Sequence, residues 1–439
     1  MQPVDTLIHA GWVVPVEPRA TALADHCVAI DCGKIVAILP SGEAHGRYAA
    51  KQTVELPGHI VCPGLVNLHG HSAMALLRGL ADDLLLDVWL QQHIWPAEAA
   101  HVSAEFVEDG TLLAAVEMLR GGTTCVNDMY FHPEATARAL LQAGMRGTIG
   151  AAILEFPTGY ASDADDYIGK ALAARDNFKH EALLQFALAP HAPYTVSDAT
   201  FSRIVTLAEQ LQMPVHMHIH ETTKEISDSL NQYGVRPLAR LRQLGLLTPD
   251  FVGIHAVHLS ADEIAILAQH GCHIAHNPSS NMKLASGIAP ISALLQAGVN
   301  VGIGTDSAAS NNRLDMFTEL RTTALLAKVA TGQPEAVPAW QALEMATLSG
   351  ATALGWQNRI GSLLPGKYAD LIAVKIDSAE ALPCFDPISH LVYCLERSQV
   401  SDAWINGEPV LQQRQTTRIN QEQILAKARW WHARIGQQR

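Results

Sequence analysis

Pro63-Gly64-Leu65-Val66-Asn67-Leu68-His69-Gly70-His71 is the stretch on which the reading of this chain turns. An apolar run from Ile60 to Leu68 ends in a His-x-His pair. Successive side chains of a β-strand point to opposite faces, so His69 and His71 share one face. Two imidazoles on one face at the end of a buried strand suit a divalent metal ion. Taken alone, the pair reads as two polar residues where a strand meets its loop. The rest of the sequence has to decide.

Outward from this stretch, seven further strand-like segments follow: Thr123–Met129, Gly147–Leu154, Leu183–Pro190, Pro214–His220, Phe251–Val257, His273–Asn277 and Val299–Thr305. Segments of helical spacing separate them. In Ser197–Leu211 one face carries Phe201, Ile204, Val205, Ala208 and Leu211. Ser260 followed three residues on by Glu263 is a capping-box signature ahead of Ile264 and Leu267. Eight alternating units with buried, apolar strands predict an α/β protein built on a closed (β/α)8 barrel of the TIM type. The competitor, an open doubly wound sheet, needs a glycine-rich phosphate loop after its first strand. His69-Gly70-His71-Ser72-Ala73 is not one.

Strand patterns without helices flank this core. Asp5–Val14 reads as a strand pair, and Cys27–Ile38 as two strands around a turn at Gly33. After Gly361 come Ser362–Val374 and then Val400–Val410, with a turn at Asn406-Gly407. The expected organisation is a catalytic barrel over residues 60–360. Residues 1–59 and 361–439 together supply a small β-sandwich domain, and a helix from Gln421 to Ile435 closes the chain.

Length and composition fit this plan. A chain of 439 residues suggests two or three domains, and 48% hydrophobic with 17% charged residues describes packed globular protein. The net charge of −13, with only short basic clusters at Arg236–Arg242 and Arg429–Arg439, argues against nucleic acid or an anionic membrane as partner. Seven cysteines, an odd count without Cys-x-x-Cys, read as reduced thiols of a cytoplasmic protein. Neither a signal peptide nor a membrane-spanning run is expected.

Barrels of this kind gather their catalytic groups at the C-terminal ends of the strands. There the sequence places His69 and His71, then His191, then His216, His218, His220 and Glu221, then His255, His276 and Asp306. Imidazoles and one carboxylate suit a single metal ion with an open position, which lowers the pKa of a bound water to about 7. Glu221, where the fifth strand passes into its loop, could carry a proton between that water and a substrate nitrogen. His255 and Asp306 could steady the water. Asp306 alone could equally cap a helix before Ser307. Period two puts His216, His218 and His220 on one face, so spacing leaves open which of them binds metal.

The set Pro63–His71, His218-Ile219-His220-Glu221, His255-Ala256-Val257-His258, His276–Asn281 and Gly304-Thr305-Asp306 resembles the amidohydrolase superfamily. Leu76–Asp83, Trp89-Leu90 and Trp95-Pro96-Ala97-Glu98 are similar to its 5′-methylthioadenosine/S-adenosylhomocysteine deaminases. The resemblance spans nearly the whole chain, including Pro365–Leu371 in the β-domain. It implies a hydrolase of cyclic C–N bonds acting on a small nucleoside, with His69, His71, His218 and Asp306 as metal ligands. Zinc is the usual ion and iron the alternative. It further implies Glu221 as proton shuttle in contact with the purine, His255 as the histidine beside the water, and Glu98 on the ribose hydroxyls. His191 becomes a further substrate contact, and Trp89 part of the loop over the 5′ substituent. No lysine stands at the fourth strand end, so a binuclear site on a carbamylated lysine is not implied. A homo-oligomer is expected on the same ground.

One departure matters. Members that accept a homocysteine tail are expected to offer an arginine after the third strand. Here Arg146 precedes that strand and Glu155–Tyr160 contains no basic residue. An apolar loop suits a methylthio group better than a charged tail. The rival readings are a relative acting on guanine, a pyrimidine or an s-triazine, and a non-catalytic scaffold.

Overall fold

The computed structural model describes residues 1–437. Strands β1 (Gln2–Val13), β2 (Leu23–Asp31), β3 (Lys34–Pro40) and β4 (Tyr48–Pro63) open the chain. The strands of the barrel follow: β5 (Leu65–Gly70), β6 (Thr123–Tyr130), β7 (Arg146–Ile153), β8 (Leu184–Pro190), β9 (Val215–Ile219), β10 (Phe251–His255), β11 (His273–His276) and β12 (Asn300–Ile303). Then come β13 (Leu371–Lys375), β14 (Val400–Ile405), β15 (Glu408–Gln412) and β16 (Gln415–Thr416). All neighbours from β5 to β12 are parallel and consecutive. β12 returns beside β5, where Asp306 N donates to His69 O at 2.9 Å and Thr305 N to Asn67 Oδ1 at 2.9 Å. The fold is thus the α/β barrel that the strand–helix alternation predicts.

The two chain ends share one mixed sheet, ordered β16-β15-β14-β13-β4-β1-β2-β3. It folds back on itself. Ile8, Val28 and Ile30 pack in one core with Leu371, Ala373 and Trp404, although three strands separate β2 from β14. The two-residue turns at Cys32-Gly33 and Asn406-Gly407 have positive φ throughout, as tight hairpins require.

Two expectations change. The apolar run from Ile60 is not one strand. It breaks at Gly64, whose absent Cβ would lie 2.0 Å from Thr124 Oγ1. Ile60–Pro63 end β4 and pair with β13, whereas Leu65 onward pairs with β6. The run is apolar throughout because its halves are buried in two different sheets. Asp5–Val14, read as a strand pair, is a single strand as far as Val13. Gly11 lets β1 pass a shift of register against β4, since a Cβ there would sit 2.1 Å from Pro57 O.

Local signals elsewhere hold. Ser197 caps the helix Asp198–Leu211, and Ser260 with Glu263 forms the full capping box of Ala261–Gln269. The last helix, Gln421–Gly436, anchors through Trp431 Nε1 to Asp109 Oδ2 at 3.0 Å. Within the barrel Val66, Leu68, Cys125, Ile254 and Ala275 meet Ala351 and Trp356 in one cluster, a packed interior. All seven cysteines are free. Among the described residues no helix is long and apolar enough to cross a membrane.

Candidate active site

His69, His71 and His218 offer ligand atoms that all lie within 4.8 Å of one another. His69, His255 and Asp306 form a second such group, so the two overlap at His69. Asp306 Oδ1 stands 3.4 Å from Nε2 of both His69 and His71. Each ring is held by its other nitrogen. His71 Nδ1 lies 2.6 Å from Met129 O and His218 Nδ1 2.7 Å from His191 O. A carbonyl only accepts, so both rings carry the proton on Nδ1 and turn a lone pair at Nε2 inward. His69 Nδ1 is 3.2 Å from His216 Nε2, and its own buried Nε2 has no hydrogen-bond partner. Burial pushes His69 down to about 3 and His218 well below the ordinary imidazole range, so both are neutral at pH 7. At His71 burial is outweighed by Asp306, which raises the imidazole above its ordinary range. Two neutral imidazoles, a third paired with a carboxylate, and an orphaned nitrogen between them are a donor set that fits a divalent metal ion.

The ambiguity on β9 resolves by backbone rather than by period. His216 lies below His69 and touches its ring nitrogen. His220 adopts φ +52°, which ends the alternation. Its Nε2 accepts from Leu238 N at 3.0 Å and its Nδ1 faces His258 O at 3.2 Å, so it serves the wall. His218 alone of the three reaches His69 and His71.

His255 and Asp306 also sit in the left-handed region, at φ +69° and +59°. Such strain at strand ends is characteristic of residues whose side chains are aimed by their surroundings. Asp306 Oδ2 accepts from Ser280 Oγ at 2.6 Å and Ser310 Oγ at 3.0 Å, and Oδ1 from Ser307 N at 2.7 Å. It therefore bonds the following amide, yet no helix starts there. His255 Nδ1 donates to Asn281 Oδ1 at 2.8 Å, which leaves its Nε2 3.6 Å from Glu221 Oε2. Burial raises the Glu221 carboxyl above its usual range, with His255 opposing and Asp306 adding to the effect.

One cavity joins these groups to Glu98, His191 and Trp89. Glu98, on the helix Trp95–His101, accepts from Tyr130 Oη at 2.7 Å, and burial pushes its carboxyl up to about 7. His191 lines the cavity with Nδ1 3.2 Å from Thr195 Oγ1, driven to about 4 by burial. Trp89 is buried, its Nε1 on Ala81 O at 3.1 Å. The outer wall is Leu86, Leu90, Trp95, Phe156, Pro157 and Tyr160. No lysine or arginine lines the cavity among the described residues. Arg146 is absent from it. It lies at the opposite end of β7, buried against Asp370.

Two residues of the site escaped the sequence reading. Tyr130 ends β6, one residue beyond the strand read from the sequence, and carries no motif of its own. Glu225 has a readable signal, Thr222-x-x-Glu225, but it does more than cap. Its oxygens accept from His220 N at 3.0 Å and Glu221 N at 2.9 Å, fixing the turn that presents Glu221. Burial pushes its carboxyl up to about 8.

A model of the amidohydrolase family matches residues 60–410. The chain is 44% identical to a 5-methylthioadenosine/S-adenosylhomocysteine deaminase of Teredinibacter turnerae, across 99% of each chain. It is equally 44% identical to a protein of the same name from Saccharophagus degradans, across 100% of this chain and 98% of that one. Among solved structures, an adenosine deaminase from Xanthomonas campestris with bound zinc superposes with a TM-score of 0.98 at 50% identity, covering 99% of both chains. A guanine deaminase from E. coli, at 24% identity and a TM-score of 0.82 over 93% of this chain and 99% of that one, shares the fold.

Proposed function

The chain belongs to the amidohydrolase family, and on that premise we propose that it hydrolyses the 6-amino group of 5′-methylthioadenosine, giving the inosine derivative and ammonia. The observation that carries this reading is one cavity joining a metal-competent cluster of histidines and Asp306 to Glu98 and to an uncharged apolar wall. The deaminase names of its full-length relatives agree with it.

His69, His71, His218 and Asp306 are the residues that hold the ion, with zinc the proposed metal. When bound, the ion supplies acidity that brings a coordinated water to a pKa of about 7. The chain's own groups do the rest. His255 Nε2 and Asp306 orient the attacking water, whose oxygen forms the new bond to C6. Glu221 takes a proton from that water and gives it to N1. Burial raises its pKa above the usual carboxylate range, which makes it a better proton carrier than an exposed glutamate. As the C6–N bond breaks, the proton of the new C6 hydroxyl passes through the same carboxylate to the leaving amine, C6 becomes a carbonyl and ammonia departs. Glu98 accepts from the ribose hydroxyls, steadied by Tyr130, and His191 lines the nucleoside's path. Trp89 and the apolar wall cover the methylthio group.

Lys170, which stands beside Tyr160 of that wall, is already engaged. Lys170 Nζ pairs with Asp166 at 2.9 Å and bonds Tyr160 O from behind the ring. A homocysteine carboxylate thus meets no free positive charge along the wall. Ammonia release from 5′-methylthioadenosine, S-adenosylhomocysteine, adenosine and guanine, compared on protein of known zinc content, tests the proposal. The first substrate should turn over best. Turnover of guanine alone, or of none with the metal site filled, would sink the nucleoside assignment. Equal turnover of S-adenosylhomocysteine would overturn the argument from the wall.

Glu98→Gln separates nucleoside from free-base chemistry. It should lower kcat/KM for the nucleoside by about 10–100-fold, the worth of a charged hydrogen bond. Zinc content should not move. The same carboxyl predicts a pH effect. With its pKa raised to about 7, Glu98 is protonated below that value. KM should therefore fall as pH rises through 7 in the native enzyme, and Glu98→Gln should flatten that limb.

A further inference from the structure

Outside the catalytic cavity, among the described residues, two clusters of ligand side chains stand in the end sheet; Asp5, Asp31 and Cys32 are all exposed or half-exposed, and the other contains a buried histidine. His9 on β1 and Glu55 on β4 are direct partners in the parallel register, so they lie side by side on one face. The helix Ser41–Arg47 crosses that face and brings His45 over them. One ligand atom from each of the three lies within 4.8 Å of the others. The His9 and His45 rings are 4.7 Å apart and 19° from parallel, close to the 5.4 Å and 20° of His71 and His218 in the active site. His9 is only 6% exposed, and its buried Nε2 has no hydrogen-bond partner.

A structural histidine at such depth normally satisfies both ring nitrogens, because an orphaned one costs about 1–3 kcal/mol. This one does not. We propose that His9, His45 and Glu55 form a second divalent-metal site of the zinc class, separate from the catalytic one. Two imidazoles and one carboxylate are a sufficient zinc set, with the fourth position left to water. His45 and Glu55 are exposed, so the ion has a path from solvent. Cys27 faces His9 from β2 in register, but burial pushes its thiol up to about 12, so it stays protonated and outside the donor set. None of the three proposed ligands lines the catalytic cavity.

The test is a zinc titration of the full-length enzyme, already carrying its catalytic ion, by equilibrium dialysis and elemental analysis. The native protein should take up one ion beyond the catalytic one. His45→Ala and Glu55→Gln, both at exposed positions, should each weaken that uptake by about tenfold or more while ammonia release stays unchanged. A second readout is the imidazole nitrogen resonances, where His9 should shift on the second equivalent in the native protein and stay still in His45→Ala. Uptake of the same number of ions by native protein and the double variant, or no uptake beyond the catalytic ion, overturns the proposal.

Discussion

Replacing Glu221 with Gln lowers the rate of ammonia release by about 10²–10⁴-fold, with zinc content and KM for the nucleoside close to native. Glutamine keeps the shape and can still hydrogen-bond the purine, but it cannot take a proton from water and return it to N1. Two observations make the effect large. Glu221 is buried, and the residue facing it is His255, whose Nδ1 proton is committed to Asn281. His255 Nε2 and Glu221 Oε2, 3.6 Å apart, are both acceptors unless one proton lies between them. Removing the carboxylate removes the acid–base group that faces His255 from the loop after β9. Steady-state kinetics with parallel metal analysis checks this. A loss of less than about tenfold would move the proton path to another group.

Arg146→Met is the largest expected change in stability, about 3–5 kcal/mol, because it strands a buried carboxylate. Arg146 is fully buried at the base of β7. Its guanidinium meets Asp370 through Nε at 2.7 Å and Nη2 at 3.1 Å, and bonds Asn406. The rings of Trp356 and Tyr368 stand 5.3 Å and 5.1 Å from it. This one side chain joins the barrel to Asp370 and to the Asn406 turn of the end sheet. Lysine cannot reproduce the fork, so Arg146→Lys should recover little. Arg146→Met combined with Asp370→Leu should recover most of the loss, since no charge is then left unpaired. Urea unfolding followed by tryptophan fluorescence reads all three. A loss under about 1 kcal/mol in Arg146→Met would mean that solvent reaches the pair. Turnover at low temperature should survive, because the pair lies at the end of β7 remote from the cavity.

The barrel was legible because its signal is periodic and repeated. Buried parallel strands read as apolar runs, and polar residues at their ends stand out against them. His69, His71, His255 and Asp306 are visible on that ground alone. His218 was not separable from its neighbours, because what sets it apart is the left-handed turn at His220, which no side-chain period reveals. The break at Gly64 was hidden for another reason. Both halves of the Ile60–Leu68 run are buried, and hydropathy does not say against which sheet. Tyr130 and Arg146 required knowledge of what lies across from them. So did His9, His45 and Glu55, whose relation rests on strand register and a crossing helix. Local chemistry was better served: the box at Ser260 was written in the sequence, whereas Glu225, in the same spacing after Thr222, spends its oxygens on the turn before the helix and closes no box.

The place of β4 in the end sheet sets the timing of biosynthesis. β4 lies between β1, already synthesised, and β13, whose Leu371 must reach Pro63. At about 5–20 residues per second that partner leaves the ribosome on the order of tens of seconds later. Through that interval the Ile60–Pro63 edge, apolar and lacking its neighbour, is a template for any passing strand. The nascent chain therefore carries an open flank on the strand that leads into the barrel until β13 has been made.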